Sequence, residues 1–234
     1  VVLGLGFSVM THMAKVDPGV PRAGCVIAVD AQWSASTMTD AYRQWLPRQA
    51  EDCAADTRAD LNIALVSGET RTSTVTPVST QLSRLDFTGN ESTDSTIVKN
   101  EIDRVVKKAD NAILSAPEQR GGTDIIGVLC VAHDLLAGNT PSTLIIDTDG
   151  INNHAPYRLE MLPLDDAKIT EYVDQLKADG QLCDLTGTQV HMYGVGIGQG
   201  TSDMSGEQLT GVHRFWEAAI RATGATLVNY QRNP

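Results

Sequence analysis

Leu144-Ile145-Ile146-Asp147-Thr148-Asp149-Gly150 is a short aliphatic run that ends in two carboxylates and a glycine. A buried strand of a parallel sheet reads this way, with its polar residues delivered at the carboxyl edge. Two other stretches carry matching chemistry. Residues 25–30 form a second apolar run, ending in Asp30, and are followed by Ala31-Gln32-Trp33-Ser34-Ala35-Ser36. Gly121-Gly122-Thr123-Asp124 stands at the head of an apolar segment. Carboxylates and hydroxyls gathered from three segments are the hard oxygen donors that a divalent cation such as magnesium needs.

Working outward, strands and helices alternate. Strands are expected over 25–30, 61–66, 142–147, 189–195 and 226–228, with an edge strand over 81–87. A helix capped by Thr37 or Thr39 should run to about residue 55, with Met38, Tyr42, Trp45, Leu46 and Cys53 on one face and a kink at Pro47. Further helices are expected over 97–114, over 124–137 and over 165–178, the second of these ended by Gly138 in the left-handed conformation. Ser205-Gly206-Glu207-Gln208 is a capping-box pattern that opens a last helix, closed by Gly224. The alternation implies an α/β fold: a doubly wound, mostly parallel sheet flanked by helices. Ligands of such sheets bind at the carboxyl ends of the strands, where the strand order reverses.

The chain has 234 residues, 41% of them hydrophobic, and a formal net charge of -11. Its size suits one domain, residues 24–234, preceded by an arm or linker over 1–23. The acidic balance argues against nucleic acid as a partner. Val1 to Met13 is apolar but too short to span a bilayer. Two readings stay open for it: the remnant of a signal or membrane-anchor segment, or an arm packed on the domain. The four cysteines include no C-x-x-C pair, which disfavours structural zinc. Cys25 and Cys130 lie in apolar runs and read as buried thiols. A Cys53–Cys183 disulfide is open to the chain in an oxidising compartment. Asn90-Glu91-Ser92 matches a glycosylation acceptor.

Taken together, the three segments resemble the von Willebrand factor A domain, the fold shared with the inserted domain of integrins. That family carries Asp-x-Ser-x-Ser after its first strand, a Thr in a middle loop and an Asp-Gly after its fourth strand. Here Asp30, Thr123 and Asp149 look like the first, middle and last of these. Counting from Asp30, the two serine positions are Gln32 and Ser34, or Ser34 and Ser36 if the loop carries an insertion. The resemblance implies a metal-ion-dependent adhesion site holding magnesium (or manganese or calcium) on Asp30, Ser34, Ser36, Thr123 and Asp149. It implies a non-enzymatic module, in which an Asp or Glu of a partner protein completes the coordination. The apolar start of the chain and the possible disulfide, rather than the resemblance, favour a surface or secreted location.

Other readings compete. A structural subunit of a surface or filament assembly, able to self-assemble, would survive a degenerate metal site. Asp147-Thr148-Asp149-Gly150 also resembles the first motif of haloacid-dehalogenase-like phosphatases, where the first Asp is a nucleophile. The later motifs of those enzymes are not found, since Asp165-Asp166 comes too early and starts a helix. The glycines at 194, 196, 198 and 200 do not have the G-x-G-x-x-G spacing of a dinucleotide site.

Overall fold

The computed structural model describes residues 22–31, 33–54, 58–73, 76–84, 88–116 and 122–234. The expected arm over 1–23 lies almost wholly outside the described residues, as do Gln32, Gly121 and the end of the expected edge strand at 85–87.

Among the described residues six strands form one sheet: β1 (Ala23–Asp30), β2 (Ala59–Val66), β3 (Val78–Leu82), β4 (Ser142–Asp147), β5 (Thr188–Tyr193) and β6 (Thr226–Gln231). Their spatial order is β3-β2-β1-β4-β5-β6, and every pairing is parallel except β2 with β3. The doubly wound arrangement expected from the sequence is therefore present. The edge strand sits earlier than expected, at Val78–Leu82. There Val78, Thr80 and Leu82 turn inward in alternation, a pattern obscured by the surrounding Ser and Thr.

Among the described residues five α-helices cover the sheet: α1 (Thr39–Asp52), α2 (Glu91–Ser115), α3 (Ile125–Leu136), α4 (Asp166–Ala178) and α5 (Gly206–Ala222). β1 is buried along its whole length, and its alternation divides the core. Cys25, Ile27 and Val29 pack with residues of α1 and α2. Val26 and Ala28 pack with residues of α3, α4 and α5, including Phe215 and Trp216.

Local capping corrects several boundaries. α1 has no threonine cap; the chain enters it through a 3-10 turn, Trp33–Met38, and Met38 occupies the cap position without a side-chain bond. α2 begins six residues before the expected start, because the Asn90 side chain accepts from the Thr93 N–H. The cap of α3 is Asp124, whose side chain accepts from the Gly127 N–H. Asp165 caps α4, and Ser205 and Gln208 make the complete capping box of α5. Gly138 ends α3 with φ +81°.

The cysteine reading is overturned. Cys25 bonds Cys53, with Cα atoms 5.8 Å apart, and Cys130 bonds Cys183 at 4.9 Å. Neither Cys25 nor Cys130 is a thiol, and Cys53 does not meet Cys183. The reason is the division of the core. Cys25 points from β1 to the α1 layer, where Cys53 follows the last turn of α1. Cys130 rides on α3, on the other face. Two disulfides fit a protein that folds in an oxidising, extracytoplasmic compartment. Among the described residues, no helix is long and apolar enough to cross a membrane.

Candidate functional site

β1 and β4 are neighbours, and the chain leaves them toward opposite edges of the sheet. The gap between their carboxyl ends is the point where strand order reverses. Asp30 and Asp149 both stand there, 0% and 1% exposed. A hydrogen bond joins the two strand ends: the Thr148 hydroxyl donates to Asp30 Oδ2 at 3.0 Å. Asp149 is held by the turn it begins, with the Ile151 N–H donating to its Oδ1 at 2.8 Å. Gly150 takes φ +87°, and its carbonyl accepts from the Trp216 indole N–H at 2.8 Å, so α5 anchors the turn.

Thr123 is fully buried and reaches the same edge from the head of α3. Its carbonyl accepts from the Asn153 N–H at 3.1 Å, and its own N–H donates to Asn153 Oδ1. Asn152 pins α3 again, its Oδ1 accepting from the Ile126 N–H at 3.1 Å. The segment after Asp149 therefore fixes the position of Thr123. Asp124 has a separate task. It accepts from the Gly127 N–H at 2.8 Å as the helix cap and from the Thr70 N–H at 3.0 Å, tying α3 to the turn after β2.

Ser34 and Ser36 lie on the 3-10 turn that follows β1. Thus the structure gathers Asp30, Thr123 and Asp149 at one crevice and places the serine-bearing turn beside it. Among the described residues, no group of three or more His, Cys, Asp or Glu side chains is arranged to hold a metal ion. The oxygen set proposed from the sequence has two carboxylates and relies on hydroxyls for the rest.

Sequence reasoning missed two side chains from α1. Tyr42, Leu46 and Gln49 form one buried stripe at helical spacing, and its two ends carry polar atoms. Gln49 Nε2 donates to Asp147 Oδ1 at 2.8 Å. Asp147 is fully buried, and burial pushes its pKa up to about 8, against the opposing pull of the Gln49 hydrogen bond. Its carboxyl group faces α1 and so belongs to the core, a poor setting for the nucleophile of the phosphatase reading. The Tyr42 hydroxyl is buried with no hydrogen-bond partner among the described residues. Its pKa is raised well above the usual phenol range by burial, then by the charges of Asp30, Asp149 and Asp147. A glutamine on an otherwise apolar helical stripe is the one signal in the sequence that a buried polar partner awaited it.

Beside Asp149 a cavity of about 230 Å³ opens between the end of β6 and the start of α5, walled by Val195, Leu209, Val212 and Tyr230. Burial and the Asp149 charge raise the Tyr230 pKa.

The donor chemistry fits a hard cation. Carboxylates and hydroxyls suit magnesium or manganese. A protonated phenol in the same acidic field offers a hydrogen bond that a water molecule can take.

Fold and crevice together define a doubly wound α/β domain with an acidic site at its strand-switch point. No family model and no curated protein matches the chain. Among solved structures, the pilus adhesin SpaC from Lactobacillus rhamnosus GG, in its open conformation, aligns with a TM-score of 0.47 and 16% identity, covering 92% of this chain and 28% of that one. A second form of SpaC aligns with a TM-score of 0.45 and 16% identity, over 92% and 29%. The human COPII-coat protein Sec24c aligns with a TM-score of 0.43 and 10% identity, over 90% and 30%. The chain spans less than a third of the length of each.

Proposed function

We propose that this domain is a protein-binding module of the von Willebrand factor A type, which uses a magnesium or manganese ion to capture an acidic side chain of another protein. Asp30 and Asp149 supply the negative charge. Thr123, with Ser34 and Ser36 on the turn after β1, supplies neutral oxygens. Two carboxylates balance a divalent ion and leave it able to take one further anionic ligand. An Asp or Glu of the partner has the charge and hardness for that place. The site is non-enzymatic in this reading, and the partner meets it outside the cytoplasm.

One observation carries the proposal: the end of β1, the turn after β4 and the head of α3 are locked to one another at the strand-switch point. The Thr148–Asp30 bond makes the first tie and the Thr123–Asn153 pair the second. Calorimetric titration with Mg²⁺ and Mn²⁺ tests it. Wild-type protein should bind one ion, and Asp30→Ala and Asp149→Ala should each abolish binding while keeping the fold. Equal binding by wild type and both variants would refute the assignment of the ion to this crevice. Absence of binding in wild type would refute the cation itself.

A further inference from the structure

Tyr42 approaches the crevice from α1, a helix that supplies none of the oxygen donors above. Its side chain is wholly buried, so the hydroxyl cannot turn to bulk water. Packing also fixes where the hydroxyl sits. A Cβ placed on Gly194, which has φ +88°, would come within 2.6 Å of the Tyr42 hydroxyl and 2.9 Å of the Thr148 carbonyl oxygen. The group is therefore held beside the residue that follows β5, close to the carbonyl of the residue that follows β4. Burial first, and then the negative charges of Asp30, Asp149 and Asp147, hold it in the protonated form. Yet it makes no hydrogen bond to any of the described residues.

A buried donor with no acceptor opposes folding. A plain phenyl ring would fill the same space without that penalty. The hydroxyl makes physical sense if its acceptor arrives from outside the protein. A cation held on carboxylates brings such an acceptor, since small hard ions keep part of their water. We propose that Tyr42 is a positioning residue of the cation site, its O–H donating to a water held by the ion and the surrounding carboxylates. This rests on the cation reading given above. Groups that act at one remove from a metal steer its ligands and commonly change affinity by about 10-fold to 100-fold when removed.

The experiment is a Mn²⁺ titration of wild type and Tyr42→Phe, followed by the paramagnetic resonance signal of free Mn²⁺. The variant should bind about 10-fold more weakly. In chelator its thermal midpoint should equal or exceed that of wild type, because an unsatisfied hydroxyl has gone. A residue with a merely structural role would show the second effect and not the first. Equal Mn²⁺ affinity in the two proteins, with binding still lost in Asp149→Ala, would overturn the role of Tyr42 and leave the cation site standing. Wild type that binds no Mn²⁺ would overturn both. Should Tyr42→Phe fail to fold, tyrosine absorbance decides the matter in a Tyr230→Phe background. A difference band on adding Mn²⁺ supports the proposal, and a flat spectrum overturns it.

Discussion

Replacing Asp147 by asparagine should make the protein progressively more stable than wild type as pH rises. Asp147 Oδ1 accepts from Gln49 Nε2 at 2.8 Å, while Asp147 Oδ2 and Gln49 Oε1 are both buried with no partner among the described residues. A proton on Asp147 turns two leftover acceptors into one donor and one acceptor, and this agrees with a pKa raised by burial to about 8. The sign follows from linkage. Above about pH 4 the unfolded chain releases this proton while the folded chain retains it, so wild-type stability falls by about 1.4 kcal/mol per pH unit. The loss ends near pH 8, where the folded carboxyl also ionises. An amide has no such proton to lose, and it keeps one donor and one acceptor toward Gln49. Between about pH 5 and about pH 7 the variant should therefore gain about 3 kcal/mol on wild type. Urea unfolding of both proteins at the two pH values, with disulfides intact and chelator present, measures the difference. A difference that stays constant, or shrinks as pH rises, would refute a protonated Asp147.

Other changes have directions fixed by the same structure. Trp216→Phe removes the indole donor from the Gly150 carbonyl and should cost about 1–3 kcal/mol in urea unfolding, since a buried acceptor is left unpaired. Ser205→Ala removes half of the α5 capping box and should lower stability by about 1 kcal/mol, measured in the same way. The Cys130–Cys183 bond closes a 53-residue separation, so replacing both cysteines by alanine should cost about 4 kcal/mol by loop entropy. Gly194→Ala should lower the melting temperature by several degrees, because its φ is +88° and the new methyl would meet the Tyr42 hydroxyl and the Thr148 carbonyl.

What the sequence made legible was local or periodic. The strand at Ser142–Asp147 appeared with its observed bounds, because a run of aliphatic residues ends abruptly in acids. Ser205, Gly138 and Gly224 announced helix ends through chemistry confined to one turn. Asn90 was readable in principle, yet the Ser and Thr after it resemble loop until the cap is recognised. The cysteines failed for a different reason. Partner choice depends on which face of β1 each neighbour lies over, and Cys53 and Cys183 belong to layers separated by the whole sheet. At the site, Asp30, Thr123 and Asp149 were visible because each follows or precedes a clear element. Tyr42 was legible only as part of an apolar helix face and Gln49 only as a lone polar residue on that stripe, because their polar tips matter only once β4 and β5 are packed beneath.

The two disulfides have a mechanical meaning if this domain bears load on a surface. Each closes a covalent loop, so tension along the oxidised chain bypasses the enclosed residues. At roughly 3.4 Å per residue, the separations of 28 and 53 residues remove about 95 Å and about 180 Å from the length that force can draw out. Asp30 falls inside the first loop and Asp149 inside the second, whereas Thr123 lies on the extensible stretch between them. A stretched domain would thus lose its middle donor while each acid stays within a covalent ring. Recovery of the crevice would then be a matter of docking two closed loops and re-seating the stretch between them that carries Thr123.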